Sequence, residues 1–296
     1  MQRLVWVVVG CALAVAACER SKAYSPGSGT PLAVEVAPVT QGDWYQPPVG
    51  ASWQWQLFVD DEHQLNTSYD VTIYNIDLFD TPVSTINALQ DSGHRVVCYF
   101  SAGSWEDYRR DRDQFTSEEL GKTLDGWPAE RWLDIRSPNV QHIMTQRLDL
   151  AAAKGCDAVE PDNVQGYLEE TGFDISGEDQ LAYNRFIANQ ARLRGLGVAL
   201  KNSLEQVEAL VDYFDFSINE QCFQYNECDQ LTPFIEAGKP VLHAEYPAHN
   251  DDLSLDDEAS IARLCSESER LRFSTLILPV NLDDSFRVAC PMLFPM

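Results

Sequence analysis

Short apolar or alternating runs recur along this chain, most of them ending in polar residues and most separated by helical patterns. The runs at 52–58, 71–77, 95–101, 157–162, 197–202, 214–220, 240–246 and 273–279 read as strands. Between them, 137–155 opens with Ser137 and Pro138 and closes at Gly155, the signature of a capped helix. The stretch 182–197 carries Phe186, Ile187, Leu193 and Leu196 near helical spacing. A helix is also expected over 203–214, opening at Ser203. Another is expected over 255–272, acidic at its start and basic at its end, as the helix dipole favours. Strands alternating with helices predict an α/β fold. Eight of them in about 255 residues predict one closed (β/α)8 TIM barrel forming a single domain. An open doubly wound sheet normally carries a glycine-rich first turn, and none is visible.

The N-terminal residues stand outside this pattern. Residues 1–17 combine Arg3 with an apolar run too short for a comfortable membrane span, and read as a secretory signal. Val15-Ala16-Ala17-Cys18 has the form of a bacterial lipobox, making Cys18 the expected lipidation site. An ordinary signal peptide with an incidental Cys18 is the alternative. Residues 18–40, rich in Ser, Pro, Gly and Ala, read as a flexible tether, leaving 41–296 as the barrel. The protein is thus expected to be exported and anchored through lipid on Cys18. Glu19, rather than Asp, after Cys18 favours the outer membrane where the source has one.

The chain holds 21 Lys and Arg against 46 Asp and Glu, a net charge of −25. Nucleic acid is excluded as a partner, because its phosphates would be repelled. The acidity serves either solubility or attraction of a cationic substrate. Apart from Cys11 and Cys18, the cysteines are Cys98, Cys156, Cys222, Cys228, Cys265 and Cys290, an even number in an exported chain. Six cysteines allow many connectivities. The strand arrangement favours Cys98 with Cys156 and Cys222 with Cys228, leaving Cys265 for Cys290. No paired CxxC exists and the histidines are scattered, so no metal site is expected.

Polar residues gather where the apolar runs end. In a parallel barrel those ends converge on one face, which brings Asp162 and Glu220 beside one cleft. Two such carboxylates are what glycosidic bond cleavage requires. Asp77, Tyr99, Glu160, Asn163, Lys201, Asn202 and Tyr246 occupy neighbouring strand ends and are candidate substrate-binding residues. Strand alternation puts Glu160 on the same side as Asp162, one step deeper. Lys201 either neutralises the acids or forms a Schiff base as in barrel aldolases; the surrounding acids favour the first role. Trp53, Trp55, Tyr74, Tyr99, Trp105, Trp127, Trp132, Tyr167, Tyr225 and Tyr246 offer stacking surfaces for sugars, and three or four of them are expected to face a ligand.

The segments WQWQL, YNIDLFDT, VVCYFSAGSWEDYRRD, GWPAERWLDIRS, GCDAVEPDNVQGY and NEQCFQYNEC, spread over roughly residues 53–246, together resemble glycoside hydrolase family 114, the endo-α-1,4-polygalactosaminidases. The resemblance implies endo-hydrolysis of α-1,4-linked galactosamine polymers, including partly deacetylated ones of biofilm matrices. It implies a retaining mechanism with Asp162 as nucleophile and Glu220 as acid/base, and sugar subsites lined by Asp77, Glu160, Lys201 and Tyr246. No metal or organic cofactor is expected. The expected partner is a cationic amino-sugar polysaccharide, and the protein is expected to be a monomer. The competing expectation is a non-catalytic surface lipoprotein that binds amino-sugar polysaccharide.

Overall fold

Each of the eight apolar runs forms a strand in the computed structural model, which describes residues 32–60 and 64–291. The signal segment, Cys18 and most of the expected tether lie outside the described residues. In chain order the strands are β1 (Trp53–Gln56), β2 (Ile73–Asp77), β3 (Arg95–Ser101), β4 (Ser104–Glu106), β5 (Leu120–Leu124), β6 (Trp127–Leu133), β7 (Ala158–Asp162), β8 (Gly197–Lys201), β9 (Phe216–Glu220), β10 (Val241–Glu245), β11 (Ser274–Ile277) and β12 (Val288–Ala289). The helices are α1 (Val83–Asp91), α2 (Pro138–Lys154), α3 (Gly177–Arg192), α4 (Val207–Leu210), α5 (Thr232–Glu236) and α6 (Glu258–Leu271).

The sheet order is β1-β2-β3-β7-β8-β9-β10-β11, all parallel, with the short β12 antiparallel at the end. No ladder joins β1 to β11 among the described residues. The seam is bridged instead by the Trp53 indole, which donates to the Ser274 carbonyl (2.8 Å), and by the Leu57 and Phe58 amides on the Leu282 carbonyl. Side chains from all eight parallel strands then meet in one interior cluster, including Trp53, Ile73, Val97, Ala158, Ala199, Phe216, Leu242 and Leu276. This is a (β/α)8 architecture.

Alternation explains how the site arises. In a strand, every second residue faces the lumen. Ile73, Val97, Ala158, Ala199, Phe216 and Leu242 are interior, so Asp77, Tyr99, Glu160, Asp162, Lys201, Glu220 and Tyr246, at even spacing from them, also point inward. The lumen is apolar where the strands enter and polar where they leave. The intervening residues, among them Tyr74, Val96, Cys98, Val159 and Val198, face outward and pack with Ile143, Leu148, Tyr183 and Ile187 of the helices. The helix α2 begins as the sequence indicates: Ser137 accepts from the Asn139 and Val140 amides, Pro138 follows, and Gly155 closes it in the left-handed conformation. The expected helix 203–214 is shorter. Its opening residue Ser203 lies at φ 54° and makes no cap bond, leaving a single 3-10 turn and the four-residue α4.

Two features were not visible in the apolar pattern. Between β3 and α2 the chain builds a second, antiparallel sheet in the order β4-β6-β5. Residues 34–39, within the stretch read as a tether, are fastened to α3: Asn189 bonds the Ala37 carbonyl and the Val39 amide, and Arg192 donates to the Val39 carbonyl. Disulfides join Cys98 to Cys156, Cys222 to Cys228 and Cys265 to Cys290. Among the described residues no helix is long and apolar enough to cross a membrane.

Candidate active site

Three strand ends carry the candidate residues Asp162, Lys201 and Glu220, and each is followed by a residue forced into the left-handed region. Asn163 lies at φ 60° after Asp162, Asn202 and Ser203 at φ 45° and 54° after Lys201, and Gln221 at φ 63° after Glu220. Non-glycine residues rarely adopt this conformation, and asparagine does so at least cost. The turn reverses the chain at once and leaves the preceding side chain standing in the mouth of the barrel. Packing holds it there. A Cβ on Gly103 would come within 1.7 Å of the Asn163 carbonyl, so only glycine lets the chain leaving β3 pass so close to this turn.

Lys201 is the hub. Its ammonium lies 3.1 Å from Asp162 Oδ1, 2.9 Å from Glu220 Oε2 and 3.6 Å from Glu160 Oε1, and 5.0 Å over the Trp55 ring. Burial opposes its charge, but the three carboxylates outweigh burial and raise its pKa. A protonated amine cannot attack a carbonyl, so the raised pKa and the three surrounding acids favour a counter-charge role for Lys201 over a Schiff base.

The two cleft carboxylates are each held at several points. Asp162 accepts from the Asn163 amide (2.7 Å) and the Tyr99 hydroxyl (3.0 Å) in addition to Lys201. Glu220 accepts from the Tyr246 hydroxyl (2.5 Å) and Asn202 Nδ2 (3.3 Å). Burial on its own would raise the Glu220 pKa; Lys201 and the two neutral donors overrule it and hold the carboxyl below its ordinary range. Burial, with the Asp162 and Glu220 charges close by, keeps Tyr99 and Tyr246 protonated and able to donate. Glu160 differs. It is sealed beneath the site, with Oε2 accepting from Asn75 at 2.5 Å. Burial pushes its carboxyl up to about 8 although Lys201 pulls the other way.

Above these residues opens a cavity of about 580 Å3, within the size range of small-molecule sites. Asp162, Glu220, Tyr99, Asn163, Lys201, Asn202 and Asp77 line it, whereas Glu160 and Tyr246 lie beneath its floor. Asp77 has little freedom there. Arg109 grips both its oxygens, at 3.0 and 2.6 Å, and the Phe79 and Asp80 amides donate to Oδ1. Of the aromatics named from the sequence, Trp55, Tyr99 and Trp127 border the cavity.

The antiparallel sheet and the turn after β4 form one wall and supply what the sequence reading missed: Glu130 from the sheet, Tyr108 and Arg109 from the turn. A signal was available. Asp125-Gly126 between flanking apolar residues marks a hairpin, and alternation through β6 sets Pro128, Glu130 and Trp132 on one face. Five carboxylates line the cavity among the described residues (Asp77, Asp80, Glu130, Asp162 and Glu220), against two cations, Arg109 and Lys201.

A carboxylate pair bridged by one ammonium at the C-terminal mouth of a (β/α)8 barrel, under an aromatic-walled cleft, defines a glycoside hydrolase site. The model of Glycoside-hydrolase family GH114 matches residues 34–292, and the chain belongs to that family. The crystal structure of Aspergillus fumigatus Ega3 in complex with galactosamine is 42% identical, with a TM-score of 0.79, covering 84% of this chain and 99% of Ega3. The glycoside hydrolase domain of PelA from Pseudomonas aeruginosa shares the fold at 12% identity and a TM-score of 0.61, over 80% of this chain and 98% of that one. The trehalulose synthase MutB from Pseudomonas mesoacidophila MX-45 does so at 10% identity and 0.53, over 77% and 64%. No curated protein matches the chain.

Proposed function

We propose that this glycoside hydrolase cleaves α-1,4-linked galactosamine polymers internally, by a retaining mechanism, while held at the bacterial cell envelope by a lipid anchor on Cys18. The observation that carries the chemistry is the Asp162–Lys201–Glu220 bridge. A shared ammonium 3.1 Å from one carboxylate and 2.9 Å from the other holds the bridged oxygens within about 6 Å. That favours the roughly 5–5.5 Å carboxyl spacing of retaining sites over the roughly 6.5–9.5 Å of inverting ones.

In this reading Asp162 attacks the anomeric carbon and forms a glycosyl-enzyme, while Glu220 gives its proton to the leaving oxygen. Water then enters, Glu220 takes a proton from it, and the sugar leaves Asp162. In the free site Glu220 is held ionised, so it must gain a proton as substrate binds. A sugar that excludes water from Glu220 pushes its carboxyl upward, in the required direction. The substrate class is supported by family membership, by the galactosamine bound in Ega3, and by the preponderance of carboxylates in the cleft.

The test is release of reducing ends from polygalactosamine by the parent, with Asp162→Asn and Glu220→Gln as controls. Cleavage surviving in both variants places the chemistry elsewhere. Binding without turnover in the parent instead supports the non-catalytic lipoprotein, which the ionised state of Glu220 favours. For the anchor, labelled palmitate should enter the parent and not Cys18→Ser; label in neither removes the lipid from the proposal. A monomer is expected in solution, and light scattering reads it.

A further inference from the structure

Most carboxylates lining the cleft already own a cation. Asp77 has Arg109 at 2.6 Å; Asp80, its side chain 71% exposed at the rim, has the same arginine at 3.3 Å. Asp162 and Glu220 share Lys201. Glu130 makes no ion pair among the described residues, and the nearby Arg109, already paired with Asp77 and Glu106, favours its charge only from a distance. Glu130 is 8% exposed, yet it lines the cavity, and its contact is a single hydrogen bond to Oε2 from Ser104 at 2.6 Å. The other oxygen is left for the cleft.

A carboxylate removed from water without a cation is costly, and two things relieve the cost: a proton, or a positive group brought by a ligand. Burial, with Glu106 and Asp162 adding their charge against the Ser104 bond and the more distant Arg109, pushes the Glu130 carboxyl up to about 7. Near neutrality, then, an arriving cation meets a group that it can draw into the ionised form. The surroundings suit such a guest. Tyr108 and Trp127, both more than half exposed, border the same wall and offer aromatic faces to a cation and to a sugar ring.

Glu130 is also tied to the catalytic pair. Ser104 Oγ lies 2.5 Å from Ser101 Oγ, Asn163 Nδ2 donates to Ser101 Oγ at 2.9 Å, and the Asn163 amide donates to Asp162. The β4-β6-β5 wall therefore presents its free carboxylate at a position set by the turn that carries Asp162.

We propose that Glu130 is the ammonium-binding residue of the cleft, reading the free amine of a de-N-acetylated sugar unit and distinguishing it from an acetamide. This rests on the galactosamine-polymer reading and specifies which group enforces it. The experiment compares fully de-N-acetylated with N-acetylated α-1,4-galactosamine oligomers, for the parent and Glu130→Gln. A charge-assisted hydrogen bond of ordinary strength corresponds to a fall of roughly 10–100-fold in kcat/KM on the cationic oligomer, expressed chiefly in KM. The neutral oligomer should change by less than about threefold. The rise in KM with salt expected for the parent on the cationic oligomer should flatten in the variant.

Equal losses on both oligomers assign Glu130 a structural role and overturn the proposal, as does no loss on either. A parent that cleaves only the acetylated oligomer also overturns it, while leaving the hydrolase reading standing. A parent that cleaves neither removes both. If Glu130→Gln melts well below the parent, Ser104→Ala serves instead, since it keeps the charge but unseats it. A selective loss of a few fold on the cationic oligomer is then expected, and an unselective one overturns the proposal.

Discussion

The barrel mouth and the antiparallel wall above it both carry buried acids, but they treat them in opposite ways. At the strand ends Asp162 and Glu220 share Lys201, and donors from Tyr99, Asn163, Tyr246 and Asn202 add to their bonding. In the wall, Glu106 is compensated by Arg109 at 2.8 Å and Arg147 at 3.5 Å, whereas Glu130 faces the cleft with no ion pair among the described residues. A site that moves electrons needs its acids locked in position and charge before substrate arrives. A site that selects a cation must keep one charge unspent. The parallel strands provide rigidity for the first task, and the inserted sheet provides the second without disturbing the barrel.

The contrast is most easily broken at the strand ends. Asp162→Asn and Glu220→Gln keep shape and remove the charge or proton each role needs, so kcat should fall by about 10²–10⁴-fold with the fold intact. Steady-state kinetics alongside a thermal melt measures both, and a loss of folding with no selective loss of kcat would reduce the pair to structural acids. Lys201→Met removes the cation shared by Asp162, Glu160 and Glu220. Leaving buried charge uncompensated costs about 3–5 kcal/mol, readable by urea unfolding near neutral pH. An unchanged midpoint there means that the acids do not depend on this lysine.

Glu160 sharpens the comparison through pH. Its carboxyl is raised from 4.5 to about 8 in the folded state, so between those values the native chain holds a proton that the unfolded chain has lost. Stability from this group therefore falls as pH rises from about 4.5 toward 8 and is level beyond. Glu160→Gln should flatten that slope in unfolding experiments; an unaltered slope assigns it to other groups.

The smallest expected effect is also the most diagnostic for roles. Tyr246 is one of the donors that lower the Glu220 pKa, so Tyr246→Phe should raise it. If Glu220 is the proton donor, the alkaline limb of the kcat profile moves to higher pH. Movement of the acidic limb instead makes Glu220 the nucleophile, and no movement detaches Tyr246 from the chemistry.

Much of this molecule was legible along the chain because its causes are local. Apolar runs such as 95–101 and 214–220 mark strands, Ser137, Pro138 and Gly155 delimit α2, and polar residues two and four steps beyond a lumen-facing apolar one, as Glu160 and Asp162 stand to Ala158, identify the mouth of the barrel. Asp77 shows where such reading stops: its position was evident, but its capture by Arg109, 32 residues away, was not. The wall was missed for a related reason. In β6, Trp127–Leu133, Glu130 breaks the apolar face that marks a strand, and the residue becomes intelligible only beside Ser104 and the cleft.

The sequence alone determined the barrel, its polar end and the identity of the two acids placed there. Which acid shares a cation, which is sealed below and which stays free were decided only by the tertiary structure. Electrostatic partnership depends on distances of a few ångströms between groups far apart in the chain, and the strand stagger and the inserted sheet set those distances together.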